Sequence, residues 1–386
     1  MTIYLLSALF HAYVGWRLLP ALAALPGVWG TLVPVALVVL LAASTVLMPL
    51  GLLAGRRIET AWRDRLAWAG MLCMGLFSSL MVLTLLRDVL LLGGAAMSLA
   101  APTWPQEALR LWSGQAVPVL ALAFTVLGFW NARRTAVVVR VDVPLANLPA
   151  GLHGFTVAQI SDVHVGPTIK HGYLNAIVQR VNSLGADMVA ITGDLVDGRV
   201  AELAAHVAPL AQLQSRHGSF FVTGNHEYYS GAHGWIDELR RLGVQVLMNQ
   251  HVVLQHPSAL GAAPLLVAGV ADWSAHHFDA SHQSDPVAAL HGAPLSVTVR
   301  MLLAHQPRSA VAAAEAGFHL QLSGHTHGGQ FWPWNHFVRF QQPYVAGLHK
   351  LKDLWVYTSR GTGYWGPPKR FGAPSEITLL TLVPAT

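Results

Sequence analysis

The sequence predicts an α/β domain preceded by an all-α bundle of four transmembrane helices. Hydrophobic residues make up 53% of the 386 residues and charged residues only 11%, whereas an ordinary soluble protein has about 25% charged residues. The deficit of charge lies in the first 130 residues. From residue 135 onwards, apolar strands alternate with amphipathic helices, which is typical of α/β folds. We therefore place the transmembrane domain at 1–134 and the second domain at 135–386.

Four apolar segments are long enough to cross a bilayer, which takes about 20 residues. They cover roughly 2–25, 28–53, 66–86 and 111–130. A cleaved signal peptide is the alternative for the first segment, because Ala21-Leu22-Ala23 resembles a cleavage site. We favour a retained helix, since no basic residue precedes the apolar run and further spans follow it.

The arginines predict how these helices are oriented. They cluster after the second segment (Arg56, Arg57, Arg63, Arg65) and after the fourth (Arg133, Arg134, Arg140). Because loops rich in Lys and Arg stay in the cytoplasm, we expect a multi-pass protein of the cell (inner) membrane. Its second domain would lie on the cytoplasmic side. The same arginines account for the net charge of +5, so we expect no nucleic-acid partner.

Four ionisable residues occur within the apolar segments, namely His11, Arg17, Arg87 and Asp88. Ionisable groups inside a membrane are candidates for function. Each of these lies near a segment end, so we expect their side chains to reach the membrane surface by snorkelling. The one cysteine, Cys73, excludes an internal disulfide and a cysteine-based zinc site.

In the second domain, five predicted strands each lead into side chains that can bind metal ions. These side chains are Asp162, His164, Asp194, Asn225, His226, His305, His325 and His327. Carboxylate, amide and imidazole ligands together suit Mn, Fe or Zn better than Ca. They are too many for one tetrahedral zinc ion and about enough for two octahedral ions. Capping or core histidines are the alternative, but the repetition at five strand ends argues against it.

Strand geometry predicts that the side chains of Asp162 and His164 converge. Asp162 and His164 are two residues apart, and side chains two apart on a strand point to the same face. The prediction requires that the strand continues through both residues.

Five motifs occur in order between 162 and 327: Asp-x-His, Gly-Asp-x-x-Asp, Gly-Asn-His-Glu, a single histidine and Gly-His-Thr-His. Together they resemble the calcineurin-like metallophosphoesterase superfamily over about 155–382. The closing segment 359–377 resembles the membrane-associated branch of that superfamily. The resemblance implies a two-sheet α-β-β-α sandwich with two divalent metal ions (Mn, Fe or Zn) at the strand ends.

Roles for individual residues follow from the same resemblance. The ligands of the first metal ion would be Asp162, His164 and His327. The ligands of the second would be Asn225, His305 and His325. Asp194 would bridge both ions, and His226 would stay off the metals near the leaving group, so that the catalytic residues are His226, Asp194 and Asn225. Two such ions can clamp the attacking and leaving oxygens, and a metal-bridging hydroxide is available near neutral pH.

Three further features are less specific. Asp197 is expected to hold its loop through backbone hydrogen bonds rather than to act in catalysis. Arg360 and Arg370 could bind phosphate as bidentate donors. The Trp- and Phe-rich segment 331–344 either forms a surface for the membrane interface or packs against the sheet.

We therefore expect a membrane-anchored phosphoesterase acting on a phosphodiester or pyrophosphate bond. The favoured substrate is lipid-linked, such as UDP-diacylglucosamine, which some relatives of this branch cleave. One alternative is hydrolysis of soluble phosphoesters or cyclic nucleotides, with the helices as a tether only. Another is a non-catalytic scaffold, but such proteins usually lack His226 or a metal ligand, and this sequence has all of them.

Overall fold

The computed structural model describes residues 2–57, 62–259 and 261–385. The chain divides into two compact units. The first comprises Met1–Trp130 together with Gly366–Phe371, and the second comprises Asn131–Trp365 together with Gly372–Thr386. The division expected from the sequence placed 366–371 in the second domain, whereas the structure groups this short segment with the helices.

The first unit is built on four long helices. They are α1 (Thr2–Ala23), α2 (Trp29–Arg57), α3 (Trp62–Ala100) and α4 (Gln106–Arg133). All four are long and apolar enough to cross a membrane, which confirms the predicted number of such helices. Residues 58–61, in the first arginine-rich loop, lie outside the described part of the chain.

Ionisable side chains of these helices are paired with neighbouring helices. Arg17 Nη2 lies 2.7 Å from Asp88 Oδ1, and Arg87 Nη1 donates to the carbonyl of Arg17 at 3.2 Å. His11 Nε2 lies 2.9 Å from Ser44 Oγ. This differs from the expected snorkelling. Partners on adjacent helices satisfy these groups, and such pairing holds helices together where water is excluded.

The segment Gly366–Phe371 is held in the first unit by a lysine. Lys369 Nζ donates to the carbonyl of Gly75 at 2.8 Å, to Ser79 Oγ at 2.5 Å and to Thr125 Oγ1 at 3.2 Å. Lys369 is 1% exposed, so all three acceptors compensate for burying its charge. Removal of the helices would therefore remove these three acceptors of Lys369.

The second unit contains twelve strands and five α-helices among the described residues. The strands are β1 (Val137–Leu145), β2 (Thr156–Ile160), β3 (Met188–Ile191), β4 (Ser219–Phe221), β5 (Gln245–Val246), β6 (Gln250–Ser258), β7 (Gly261–Gly269), β8 (Arg300–Leu303), β9 (Leu320–Ser323), β10 (Gly347–Leu351), β11 (Leu354–Thr358) and β12 (Glu376–Pro384). The helices are α5 (His171–Asn182), α6 (Val200–Val207), α7 (Asn225–Ser230), α8 (Ala232–Arg241) and α9 (Ala310–Glu315).

Two six-stranded sheets form the centre of this unit. The first has the strand order β1-β12-β2-β3-β4-β5 and the second the order β10-β11-β9-β8-β7-β6. Strands β2 to β5 are parallel, as are β7, β8, β9 and β11. The carboxyl ends of the parallel strands therefore meet at one edge in each sheet.

The residues of each strand alternate between two cores. In β2, Val157 lies in the core between the sheets, and Ala158 lies in the core between the first sheet and helices α5, α6 and α8. In β8, Leu303 faces the core between the sheets, whereas Leu302 packs with Ala313 of α9. Because successive strand side chains point to opposite faces, each sheet is covered on both sides. The four layers confirm the predicted α-β-β-α sandwich.

Candidate metal centre

The predicted metal ligands all follow the carboxyl ends of parallel strands. Asp162 and His164 follow β2, Asp194 follows β3, and Asn225 begins α7 directly after β4. In the second sheet, the ligands following β8 and β9 are His305, His325 and His327. Loops at this edge of an α/β sheet commonly carry function. The structure brings the aspartate and histidine side chains among them into two adjoining groups.

The first group consists of Asp162, His164 and His327. His164 Nε2 lies 3.0 Å from His327 Nε2, and His327 Nε2 lies 3.5 Å from Asp162 Oδ1. The Nδ1–H of His164 donates to Asp197 Oδ1 at 3.1 Å. This bond leaves the lone pair of His164 Nε2 directed towards the group, which is the arrangement of a metal-binding histidine.

The second group consists of Asp194, His305 and His325. His305 Nε2 lies 3.1 Å from Asp194 Oδ2 and 3.2 Å from His325 Nδ1. The Nδ1–H of His305 donates to the carbonyl of Thr192 at 2.7 Å. His305 therefore also presents a ring nitrogen with a free lone pair to its group.

One oxygen of Asp194 faces both groups. Its Oδ2 lies 3.1 Å from His305 Nε2 and 3.9 Å from His164 Nε2, while its Oδ1 accepts the backbone N–H of His226 at 2.9 Å. Burial opposes ionisation of Asp194, but the surrounding imidazoles, including His305 and His226, outweigh burial and hold the pKa of Asp194 well below its usual value. Asp194 is therefore an anionic ligand available to two cations.

The side-chain oxygen of Asn225 indicates whether the site can accommodate a metal ion. This Oδ1 atom is buried and, among the described residues, has no hydrogen-bond donor. A buried acceptor without a partner costs on the order of 1–3 kcal/mol, and a bound cation would satisfy it. The donor set of carboxylate, amide and imidazole therefore fits two divalent ions.

Five of the ligands have a left-handed backbone conformation. Their φ angles are 54° for Asp162, 56° for His164, 52° for Asp194, 71° for His325 and 52° for His327. Strand β2 ends at Ile160, so Asp162 and His164 do not converge through strand alternation as expected. Each such residue costs on the order of 1–3 kcal/mol, and strain of this kind collects at functional sites.

Glu227 is a buried residue of the site to which the sequence assigned no role. Its carboxylate accepts the backbone N–H groups of Gly224 at 2.6 Å, Leu195 at 2.7 Å and Asp194 at 3.0 Å. It is fully buried and ties the loop after β3 to the loop after β4. Its place in the Gly-Asn-His-Glu motif was the only signal that could have identified it.

His226 lies beside the two groups and is oriented by Asp197. The Nδ1–H of His226 donates to Asp197 Oδ1 at 2.6 Å. Burial alone would lower the pKa of His226, but the carboxylates of Asp194 and Asp197 outweigh burial and raise it to about 9. The two carboxylates therefore favour the protonated form of the imidazole.

Asp197 contacts histidines rather than the backbone expected from the sequence. Its Oδ1 accepts from both His164 and His226, so it is a positioning residue for one predicted ligand and for the predicted proton donor. Burial opposes its ionisation, but the charge of His164 and the hydrogen bonds from both histidines lower the pKa of Asp197 below its usual range.

Replacing Asp197 by Asn should lower metal affinity and turnover together. An amide can still accept one hydrogen bond, but it removes the charge that orients His164 and His226. Loss of such a supporting residue typically costs about 10–100-fold. Metal content after dialysis and turnover at saturating metal measure the two effects, with the exposed Asp353→Asn as control. Unchanged metal content and turnover would contradict this role for Asp197.

Gly324 allows the loop after β9 to approach Asp162. A Cβ atom on Gly324 would overlap Ser161 Oγ and Asp162 Oδ2. We expect Gly324→Ala to displace the Asp162 carboxylate and to lower occupancy of the first metal site. The matched control is Gly172→Ala, because a Cβ on Gly172 meets nothing within 4 Å. Metal analysis of both variants checks the prediction, and equal occupancy would refute it.

The two predicted substrate arginines lie in different units. Arg360 Nη1 donates to Glu376 Oε2 at 2.9 Å, and its side chain is 40% exposed. Its Cγ would lie 3.0 Å from a Cβ on Gly328, next to His327. Arg370 is fully buried and belongs to the segment grouped with the helices. Arg360 thus lies beside the loop of one metal ligand, and Arg370 is enclosed in the helical unit.

The aromatic segment 331–344 is largely exposed. Trp334 is 45% exposed, Phe337 54% and Phe340 77%, whereas Phe331 is 7% exposed. Trp334 and Phe337 contact each other with ring centroids 5.9 Å apart. Three rings of the segment therefore form an exposed apolar surface, whereas Phe331 is buried and Tyr344 packs against the core beside the second sheet.

Several known proteins are similar in sequence to this chain. Residues 155–329 match the family described as calcineurin-like phosphoesterase. A transmembrane protein with metallophosphoesterase domain from Bos taurus is 41% identical over 281 residues, covering 69% of this chain and 62% of that protein. The protein of the same name from Danio rerio is 38% identical over 273 residues, covering 68% and 62%.

The alignment with a bacterial relative covers a larger share of that relative's length. An uncharacterized metallophosphoesterase of Campylobacter jejuni is 34% identical over 276 residues, covering 71% of this chain and 70% of that protein. By contrast, the chain spans 62% of the length of the two vertebrate relatives.

Proposed function

The chain belongs to the calcineurin-like phosphoesterase family, and from this premise we propose that it hydrolyses a phosphodiester or pyrophosphate bond with two divalent metal ions. The position of Asp194 Oδ2, 3.1 Å from His305 Nε2 and 3.9 Å from His164 Nε2, carries the proposal. A single carboxylate shared by two ligand groups is what a two-ion site requires.

The residues divide between the two ions as follows. Asp162, His164 and His327 would hold the first ion, and Asn225, His305 and His325 the second, with Asp194 shared. Mn, Fe and Zn all suit these ligands. When bound, two such ions neutralise phosphate charge and lower the pKa of water.

His226 would donate a proton to the leaving oxygen. Its Nδ1 is engaged by Asp197, so Nε2 is the ring nitrogen available to a substrate. The carboxylates of Asp194 and Asp197 raise the pKa of His226 and so favour the protonated form that a general acid requires. The hydrogen bond from Nδ1 to Asp197 and the hydrogen bond from the His226 backbone N–H to Asp194 Oδ1 both restrict the orientation of the imidazole.

The favoured substrate is a lipid-linked phosphodiester or pyrophosphate such as UDP-diacylglucosamine. Four helices suited to a membrane and the exposed rings of Trp334, Phe337 and Phe340 support this class, because aromatic side chains favour the membrane interface. Hydrolysis of soluble phosphoesters or cyclic nucleotides is the alternative. It would need no such exposed surface.

A substrate panel on the metal-reconstituted full chain in nanodiscs tests the proposal. It contains bis(p-nitrophenyl) phosphate, a cyclic nucleotide, UDP-N-acetylglucosamine and UDP-diacylglucosamine. We expect the highest kcat/KM for the lipid-linked compound, and the double variant Phe337→Ser with Phe340→Ser should lower only that value. A preference for soluble compounds would support the alternative, and no hydrolysis with two ions bound would indicate a scaffold.

The panel requires the full chain rather than a soluble fragment. Deletion of 1–130 would remove Gly75, Ser79 and Thr125, which accept hydrogen bonds from Lys369. A loss of activity in such a truncation could then reflect a displaced segment rather than a lost anchor.

We further propose that the protein lies in the cell (inner) membrane with its second unit in the cytoplasm. The arginines after α2 and α4 support this orientation. In a Cys73→Ser background, which has no other cysteine, Leu295→Cys places one thiol on a residue that is 95% exposed. A membrane-impermeant maleimide should label this thiol only after the cells are permeabilised. Labelling in intact cells would show that the second unit lies outside the cytoplasm and would contradict the proposed orientation.

A further inference from the structure

Two exposed aromatic rings adjoin the imidazole of His226. The ring centroid of Tyr229 lies 5.2 Å from that of His226 with an interplanar angle of 70°, and the ring of Trp365 lies 5.6 Å away at 72°. Tyr229 is 63% exposed and Trp365 52% exposed. Both rings therefore offer free apolar surface within one side-chain length of the predicted proton donor.

Each of these rings follows a buried aromatic neighbour in the chain. Tyr228 is 9% exposed and Tyr364 is 1% exposed, and both have hydrogen-bond partners within the second unit. In each dipeptide, the first ring thus anchors the backbone and the second is left at the surface beside His226. The exposure of Tyr229 and Trp365 is therefore not a sign of a loosely packed region.

The backbone of Trp365 is held by one buried amide. The backbone N–H of Trp365 donates to Gln330 Oε1 at 2.8 Å, and Gln330 Nε2 donates to the carbonyl of Trp365 at 2.8 Å. Gln330 is 8% exposed. This two-way bond fixes the point from which the exposed indole extends.

Tyr229 is fixed by its helix. It lies in α7, which also contains Asn225 and His226, and it is three residues after His226, so the two side chains are neighbours on the helix surface. Phe278 supports the far side of Tyr229, with ring centroids 5.5 Å apart. The two exposed rings are therefore preorganised around His226 and need no rearrangement to receive a ligand.

We propose that Tyr229 and Trp365 form the binding site for the leaving group, and that the preferred leaving group carries a planar aromatic ring, such as the base of a nucleotide. The inference rests on the proposed function, which places the departing oxygen next to the imidazole of His226. A group attached to that oxygen would then lie close to the two rings that contact this imidazole. Planar rings stack on exposed Trp and Tyr side chains with little dependence on sequence or substituents.

A matched pair of ligands tests this site. Phenylphosphonate and methylphosphonate share the phosphonate that would engage the metal ions, are not hydrolysed, and differ only in the ring. Their dissociation constants are measured by titration calorimetry on the Mn-loaded full chain in detergent. Because stacking on an aromatic side chain strengthens binding about tenfold or more, we expect the phenyl compound to bind at least about tenfold tighter to the wild type.

Variants then assign the preference to the two rings. Trp365→Ala should bring the ratio of the two constants close to one, Tyr229→Ala should reduce it, and the ring-preserving Trp365→Phe and Tyr229→Phe should retain most of it. The control is Val311→Ala on α9, which truncates a side chain that is 59% exposed. Metal content of each variant shows that the site is intact.

Two results would overturn the inference: equal affinity of the wild type for both phosphonates, or a ratio unchanged by the Ala substitutions at Tyr229 and Trp365. Either could occur while the enzyme still hydrolyses phosphodiesters. Failure of the proposed function is seen separately, as an absence of hydrolysis in the substrate panel, because the phosphonate titration does not depend on turnover.

Discussion

Replacing Asp194 by Ala should remove both metal ions and essentially all phosphodiester hydrolysis. Its Oδ2 faces both ligand groups, so its loss affects two sites rather than one. Loss of a residue that only orients a ligand already costs about 10–100-fold in metal affinity, so the shared ligand itself should cost more than about 100-fold at each site. Metal analysis after gel filtration should find well below one ion per chain.

The matched control for this variant is Asp237→Ala, because the Asp237 side chain is 82% exposed on α8. It should keep two ions and full activity. If Asp194→Ala retained two tightly bound ions, the shared-ligand role of Asp194 would be excluded, even if activity were lost. Retention of one ion would show that Asp194 is a ligand in only one of the two groups.

Replacing His226 by Ala should keep both metal ions but lower kcat by about 10²–10⁴-fold, the usual contribution of a general acid. The side chain of His226 is a neighbour of the ligand groups, and its Nδ1 is bound to Asp197. The loss should be largest for substrates with poor leaving groups, since these most need a proton. Full activity on such a substrate would rule out the role, and His276→Ala, at an exposed position, is the control.

The pH profile gives an independent check on His226. A general acid must be protonated, so the rate should fall as the pH rises through its pKa, which Asp194 and Asp197 raise to about 9. Two bound cations would counteract the effect of these carboxylates on the pKa, so the fall in rate should occur at or below pH 9. This fall on the alkaline side of the pH profile should be missing in His226→Ala. An identical fall in both proteins would assign it to another group.

Several elements of the fold could be predicted from the sequence because their pattern is local. The alternation of amphipathic helices and apolar strands expected after residue 135 is present, for example, in α5 (His171–Asn182) and β3 (Met188–Ile191). Helix α5 has buried apolar residues at helical spacing, and β3 is a continuous run of buried apolar residues. Strand β5 (Gln245–Val246) is only two residues long, too short to show a pattern, and β10 (Gly347–Leu351) has no regular alternation of buried and exposed residues. Their pairing partners, not their own side chains, make them strands.

The types of metal ligand could also be predicted, because they follow strands that are themselves recognisable. The supporting residues could not. Asp197 and Glu227 lie within the same motifs as the ligands, yet the sequence does not show that Asp197 bonds two histidines or that Glu227 bonds three backbone amides. These contacts join loops of different strands, and their geometry depends on how the strands are paired.

By itself, the sequence determined the chemistry of this protein: four helices apolar enough for a membrane, an alternation of strands and helices, and an ordered set of carboxylate, amide and imidazole ligands. These properties depend on side-chain composition and on periodicity, which are local. Only the tertiary structure decided which ring nitrogens of His164 and His305 face the candidate ligand groups, that Asp194 Oδ2 lies near both groups, and that Tyr229 and Trp365 contact His226. The reason is that these distances arise from the packing of two sheets and from left-handed turns at the strand ends, and neither is encoded by spacing along the chain.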